Sequence, residues 1–275
     1  MYQFCYYFLI FFIYSVLGFL IESIACSFWE KKIVKDRGFL IGPYCPIYGT
    51  GAIMMILFLT KYKNDPLAFF IMAVVYASII EYLTSYILEK LFKARWWDYS
   101  DKKFNVNGRI SLSTSFMFGV LGIFLIYFMN PLLEKGLSLI PKDIFICISL
   151  IILVFFLIDI IVTFTVVSRL KLNLQSLEKD STSQIDKQIK EVLRNDLLWY
   201  KHIYKSFPKL EFNFDNKGLS HMIKNTLSVI EEKKKENREE IKKIKKKIHG
   251  LKKEKASKET IKQEKQKIRK MKDVK

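Results

Sequence analysis

Histidine and cysteine are scarce in this chain, with three and four copies among 275 residues. The histidines are scattered, and the cysteines at positions 5, 26, 45 and 147 lack the spacings of metal ligands. We therefore expect no metal and no cofactor, and we interpret the cysteines as small buried thiols. The sequence also lacks the Gly-x-x-x-x-Gly-Lys-[Ser/Thr] loop that binds nucleotide phosphates, and it contains no other catalytic motif. These absences predict that the chain is not itself an enzyme.

The amino terminus lacks the basic residues that begin a secretory signal peptide. Its apolar run continues through Glu22 to Trp29, and Ser23 stands where a lipoprotein signal before Cys26 would need an aliphatic residue. We therefore expect the first run to be retained as a membrane span.

Apolar residues, in contrast, are abundant, since 51% of the chain is hydrophobic and 15% is aromatic. Roughly 20 apolar residues in a helix cross the hydrocarbon core of a bilayer. Five nearly uncharged runs reach that length, namely Tyr2–Ile21, Phe39–Thr60, Pro66–Leu88, Ile110–Leu133 and Ile144–Ser168. We predict an all-α, multi-pass membrane protein with five transmembrane helices in a domain that spans residues 1–170.

Basic residues are concentrated at the other end of the chain. Residues 1–170 carry 15 Lys and Arg against 11 Asp and Glu, whereas residues 171–275 carry 30 against 16. We predict a basic helical tail over residues 171–275, with an amphipathic helix over 183–206, a second helix from Leu219 and a frayed end. We expect its charge to form a solvated face that is attracted to anionic membrane lipids, and we expect no nucleic-acid partner.

Lysine and arginine also alternate between loops, which predicts the orientation of the chain in the plasma membrane. Loops on the cytoplasmic side collect positive charge. Successive loops, starting before the first span, carry 0, 4, 2, 6 and 2 Lys or Arg and are followed by the basic tail. This alternation predicts an amino terminus outside and a carboxyl-terminal tail in the cytosol.

Three acids, Glu22, Glu81 and Asp159, lie inside the apolar runs. An ionisable side chain is costly in hydrocarbon, so such residues usually face a bundle interior or a wet cavity. With a rise of about 1.5 Å per residue, the predicted topology puts all three in the cytoplasmic half of the membrane. They are either hydrogen-bonded acids in helix contacts or parts of a polar site. The candidate site comprises Glu22, Glu81, Ser85, Glu89, Arg95, Asp98, Arg109 and Asp159.

The start of the second run is rich in glycine and proline. Irregular backbone survives at membrane depth where it is buried in protein or lines a cavity. The alternative is a simple loop that leads to a helix beginning near Ile47. The candidate residues of this irregular segment are Gly42, Pro43, Tyr44, Pro46, Gly49 and Gly51.

The segment from Arg95 to Arg109 combines aromatic and basic residues. Trp96, Trp97 and Tyr99 are typical of an interfacial aromatic belt. In a second interpretation, Arg95 and Arg109 are fork-shaped donors that hold a phosphate or a carboxylate at the membrane surface. Their expected structural partners would neutralise them, and these are Glu89, Asp98 and Asp101.

Several stretches of the chain are informative as a set, namely 38–51, 81–89, 95–100, 104–105, 108–110 and 118–122. Together they resemble the ABC-transporter type IV family of bacterial membrane proteins. The resemblance covers roughly residues 5–135 and implies a polytopic, permease-like transport component. Because this chain has no phosphate loop, the ATPase that such a transporter needs would be a separate subunit that docks at residues 90–109.

Three functions are compatible with these features. The first is a permease-like component in which the acids bind a cation or polar solute, or relay protons. The second is a membrane anchor or scaffold whose basic tail recruits a cytoplasmic partner. The third is a membrane enzyme that acts on a lipid or lipid-linked substrate, with Glu81 or Asp98 as base. Five spans are few for a complete pathway, so we also expect a homo- or hetero-oligomer.

Overall fold

The computed structural model describes residues 1–29 and 38–179, together with residues 203, 206, 207, 210–212, 236, 239–241, 243 and 244. This part of the chain is mostly helical and contains four helices that are long and apolar enough to cross a membrane. They are Tyr2–Phe28, Pro66–Phe92, Leu112–Ser138 and Lys142–Leu172. The expectation of a helical, multi-pass membrane protein is confirmed.

Within residues 1–29 and 38–179, six α-helices follow one another. They are α1 (Tyr2–Trp29), α2 (Pro46–Met54), α3 (Pro66–Phe92), α4 (Leu112–Phe124), α5 (Asn130–Ser138) and α6 (Lys142–Lys179). A π-helical turn at Met55–Leu59 and a 3₁₀ turn at Thr60–Tyr62 extend α2, and a second π-helical turn at Leu125–Met129 joins α4 to α5. The described residues also form the two-residue strands β1 (Ala94–Arg95), β2 (Asn105–Val106), β3 (Ile110–Ser111) and β4 (Glu211–Phe212).

The second apolar run differs from its prediction as one spanning helix. Residues 38–45 are not helical, and α2 begins only at Pro46. Proline lacks the N–H that a helix interior needs, and it keeps the preceding residue out of the helical region, so Pro43 and Pro46 delay the start of the helix. Of the five predicted spanning helices, four are therefore present in the described part of the chain.

The loop between α3 and α4 ends in a hairpin whose strands are connected by three residues, 107–109. Strand β2 pairs antiparallel with β3, and the turn residues Asn107 and Gly108 have φ angles of 52° and 64°. Type I′ turns require positive φ at both positions, which Asn-Gly adopts at little cost. The hairpin leads directly into α4, whose first turn is closed by a capping box between Ser111 and Thr114.

Helices α1 and α2 run antiparallel at very close range. A Cβ atom at Gly18 would collide with the ring of Tyr48, and one at Gly49 would collide with the Ser15 hydroxyl and the Phe11 carbonyl. Small residues permit this approach of two backbones, as they do in membrane helix pairs generally. Helices α3 and α4 also meet through small residues, and Ser78 Oγ donates to Ser115 Oγ at 2.7 Å.

The chain divides into two compact units. The first comprises Met1–Gln175 with Leu198–Asp215, and the second comprises Ser176–Leu197 with Asn216–Lys275. The predicted helix over 183–206, the helix from Leu219 and the frayed end lie for the most part outside the described residues. The division at residue 170 therefore stays a prediction. All sites discussed below lie in the first unit.

Candidate functional site

Asp159, on α6, holds the irregular segment 38–45 in place. Its carboxylate accepts the backbone N–H groups of Ile41 at 3.2 Å and Gly42 at 2.8 Å. The hydroxyl of Tyr44 also donates to it, as does that of Thr163 at 3.0 Å. Backbone N–H groups outside a helix need such partners when they are removed from water. Asp159 therefore has the environment of a structural carboxylate.

Segment 38–45 lies beside the middle of α1 rather than beyond its end. The Cys45 N–H donates to the Ser15 carbonyl at 2.8 Å, and Cys45 Sγ lies 3.7 Å from Glu22 Oε2. Tyr44 is buried, whereas Pro43 is exposed. These contacts support the interpretation of irregular backbone buried in protein, rather than a simple loop outside the helices.

Glu81, on α3, lines a half-open cavity between α2, α3 and α4. The cavity measures about 70 Å³, and the Glu81 residue is only 4% exposed. Its Oε2 atom has no hydrogen-bond partner among the described residues. Apart from Tyr48, the other cavity walls are apolar and include Ile47, Met55, Ile80, Phe118, Leu121 and Leu125.

Tyr99 brings a hydroxyl group from the α3–α4 loop to the Glu81 carboxyl, with which it forms a hydrogen bond. Burial, followed by the charge of Glu81, raises the pKa of the Tyr99 hydroxyl above its ordinary value. The hydroxyl therefore stays protonated at neutral pH and donates to the carboxylate. Lys102 places its Nζ atom 4.7 Å from the centre of the Tyr99 ring.

Glu22 belongs to the same polar cluster. It lies close enough to Glu81, Tyr48 and Tyr99 to interact with each of them electrostatically. We call these four residues, Glu22, Tyr48, Glu81 and Tyr99, the acid–tyrosine cluster. The structure thus brings two of the three membrane acids together. Asp159 is connected to them through the chain, because Tyr44 binds Asp159 while the next residue contacts Glu22.

Arg109 faces an acid. Its NH1 atom lies 2.7 Å from Glu89 Oε2 and donates to Ser85 Oγ at 3.2 Å. The guanidinium also lies over the rings of Tyr82 and Tyr86, at 5.7 and 5.5 Å from their centres. A guanidinium that is paired and stacked in this way has less capacity for an external anion.

Arg95 is engaged in a similar manner. It lies 3.5 Å from Asp98 and donates to the backbone carbonyl of Asn107 at the hairpin turn. Asp98 in turn accepts the Ser100 hydroxyl at 2.7 Å. Both arginines thus contact residues of α3 or of their own loop, which supports the structural interpretation of the pair over the anion site.

Trp96 is buried in protein, so the interpretation as an interfacial belt is wrong for this residue. It is 2% exposed, and its ring packs against Phe39 and Phe207, each with ring centres 4.9 Å apart. Trp97 donates its indole N–H to the Arg109 carbonyl at 3.1 Å. Phe207 comes from the predicted tail, and β4 of the same segment pairs with β1.

Several residues that shape these sites were not predicted. Tyr48 lies in the stretch rich in glycine and proline, directly before Gly49, and this position in an apolar run was the available signal. The contribution of residues 203–212 was missed because they lie in the basic tail, although the apolar residues Phe207, Leu210 and Phe212 were visible. The expected burial of the cysteines holds for Cys5 and Cys45, whereas Cys26 is half-buried and Cys147 is exposed.

The acid–tyrosine cluster can hold a positively charged group or exchange a proton. A buried carboxylate oxygen that faces a cavity binds whatever N–H or O–H donor enters that cavity. Among the described residues, no group of three or more His, Cys, Asp or Glu is arranged to hold a metal ion.

Comparison with known proteins identifies the family of this chain. The family model described as "Putative ABC-transporter type IV" matches residues 9–164, which include most of α1, all of α2 to α5 and most of α6. No curated protein and no solved structure matches the chain. The match covers more than half of the sequence, including the acid–tyrosine cluster and Asp159. The chain therefore belongs to the ABC-transporter type IV family of membrane proteins.

Proposed function

We propose that this protein is the membrane-embedded, permease-like subunit of an ABC-type transporter, and that the acid–tyrosine cluster is part of its solute site. The observation that carries this proposal is the Glu81 carboxyl group, which is buried among apolar helices, has one oxygen without a hydrogen-bond partner among the described residues, and belongs to a residue that lines a cavity. Burying such a group costs stability, and intramembrane acids are typically retained for a function. Two π-helical turns begin at the cavity wall, at Met55 and Leu125, and such turns are frequent at functional sites.

The proposal includes five membrane crossings. Helix α2 starts beside the middle of α1 and runs back along it, so the second crossing consists of the extended segment 38–45 followed by the helical segment 46–62. Broken crossings of this kind are typical of binding sites in transporters. The alternation of loop charges supports an amino terminus outside the plasma membrane and a basic tail in the cytosol.

Cysteine labelling tests the orientation. Lys103 and Lys135 are both exposed; Lys103 lies in the loop after α3, and Lys135 lies in the last turn of α5, close to the start of α6. In whole cells, a membrane-impermeant maleimide should label Lys135→Cys, and it should label Lys103→Cys only after the cells are permeabilised. The unsubstituted protein controls for the native cysteines. Labelling of Lys103→Cys alone in intact cells would reverse the proposed orientation.

The separate ATPase subunit is proposed to dock on the α3–α4 loop. ATPase activity should co-purify with the full-length protein when it is isolated from its native membranes in mild detergent. The chain itself has no phosphate-binding loop, so this activity would come from a bound subunit. Reversal of an exposed loop charge in Lys103→Glu should weaken the association by roughly tenfold, which is measured as the ATPase activity that co-purifies.

Lys63→Glu is the matched control, because Lys63 is also an exposed turn lysine but precedes α3 rather than following it. This variant should keep the ATPase activity of the unsubstituted protein. Purification without any ATPase subunit, in detergents that keep the chain monodisperse, would contradict the transporter assignment.

A scaffold function is the second candidate, and it is favoured by the contact between the tail and the loop. Strand β4 pairs with β1, so residues 211–212 of the tail are fixed to the same loop on which a partner would dock. The lysine-rich residues after Asn216 belong to a separate unit. Under this function, a partner would be lost when residues 216–275 are removed, whereas the transporter assignment places the ATPase contact on the loop.

A further inference from the structure

We infer that the cavity beside Glu81 binds a small alkylammonium ion, with Glu81 as its counter-ion. The inference rests on the proposed function, because it names the chemical class of the solute for the same site. Three features of the cavity carry it: an unsatisfied carboxylate oxygen, walls that are apolar and aromatic, and a small volume.

The carboxylate requires a donor. The residue is 96% buried, since 4% of it is exposed, and the Tyr99 hydroxyl is a hydrogen-bond partner of its carboxyl group. The Oε2 atom has no partner among the described residues and belongs to a side chain that lines the cavity. An ammonium N–H donates to such an oxygen and compensates its charge, which water alone does not do.

The other walls of the cavity favour a ligand with an alkyl group over a hydrated inorganic cation. The rings of Tyr48 and Phe118 line the cavity with their centres 5.9 Å apart, and aromatic faces attract cations. Hard inorganic cations need several oxygen ligands at once, which walls built from Ile47, Met55 and Leu121 do not supply. An amine with a short alkyl chain satisfies both the carboxylate and the walls.

The volume indicates a small ligand. At about 70 Å³, the cavity exceeds the roughly 10–15 Å³ that a single water needs, so it has room for a group of a few heavy atoms. An ammonium group with two or three carbons matches this space. Ethylammonium is therefore the probe.

Gly51 offers a way to fill the cavity without touching the acid. It lines the cavity, and a Cβ atom added there would meet no atom within 4 Å. Gly136 of α5 is the matched control, because a Cβ atom there also meets nothing within 4 Å and the residue is exposed. Gly51→Leu should occupy the space of the ligand, whereas Gly136→Leu should leave the cavity unchanged.

The experiment measures binding of radiolabelled ethylammonium to the purified full-length protein by equilibrium dialysis, without any ATPase. The unsubstituted protein and Gly136→Leu should bind it saturably with one site per chain. Glu81→Gln should weaken binding by roughly 30-fold or more, because it removes the counter-ion of the pair. Gly51→Leu should abolish binding, and it gives an independent result if Glu81→Gln does not fold.

Three results would overturn the inference. The first is that ethylammonium does not bind saturably to the unsubstituted protein. The second is that a monodisperse Glu81→Gln preparation binds ethylammonium as tightly as the unsubstituted protein. The third is that sodium ion or the neutral 1-propanol, at the same concentration as ethylammonium, displaces it. Because no partner is present, failure here leaves the ATPase association untouched. Loss of that association would equally leave ethylammonium binding in place.

Discussion

Asp159→Ala should be the most destabilising single substitution at the candidate site. The change leaves the N–H groups of Ile41 and Gly42 and the Tyr44 hydroxyl without an acceptor. Each buried donor that loses its partner costs about 1–3 kcal/mol, so we expect a loss of about 4 kcal/mol in the free energy of unfolding. Because the lost contacts join α6 to segment 38–45, the α1–α2 pair should loosen with them.

A graded series tests whether these hydrogen bonds are the cause. Tyr44→Phe and Thr163→Val each remove one donor to Asp159 and should each cost about 1 kcal/mol. Asp143→Ala is the matched control, since it removes an exposed acid from the first turn of the same helix. Thermal unfolding in detergent measures the order of the variants. If Asp159→Ala unfolds at the temperature of the unsubstituted protein, the structural role of Asp159 is refuted.

Ending the chain after Leu197 should strongly destabilise the membrane unit, whereas ending it after Asp215 should not. The shorter chain lacks Ile203 and Leu210, which are buried, and Phe207, which packs on Trp96. Burial of one large apolar side chain contributes about 1.5–3 kcal/mol, and part of this gain offsets the ordering of the segment. We therefore expect a net loss of about 3 kcal/mol.

The two truncated chains are compared by thermal unfolding in the same detergent, with the full-length chain as reference. Leu210→Ala in the full-length chain should give a loss of about 2–4 kcal/mol, which separates the packing of one side chain from the effect of removing the tail. Equal stability of the two truncated chains would mean that residues 198–215 are dispensable for the membrane unit.

Local sequence patterns predicted the features that are determined by residues close together in the sequence, such as the spanning helices. The length of the apolar runs identified the four spans, and the depth of Glu22 and Glu81 placed two acids in one cluster. The second run was predicted to begin with irregular backbone or with a loop before a helix near Ile47, and the structure has non-helical residues 38–45 followed by a helix from Pro46.

Contacts between distant segments were not predictable in the same way. Asp159 bonds to Gly42 across 117 positions, and Trp96 packs on Phe207 from beyond the last span. Periodicity reports which face of a helix is apolar, but it does not report which other segment covers that face. For this reason, Asp159 was grouped with the other two acids although its partners make it structural.

The bond between Asp159 and segment 38–45 also has a mechanical consequence. The segment is attached to α6 at Gly42 and Tyr44, and four residues later the chain reaches Tyr48 in the cavity wall. A displacement of α6 along its axis must therefore either pull on α2 or break these hydrogen bonds. We therefore expect a movement of α6 to reach the cavity wall through residues 41–48.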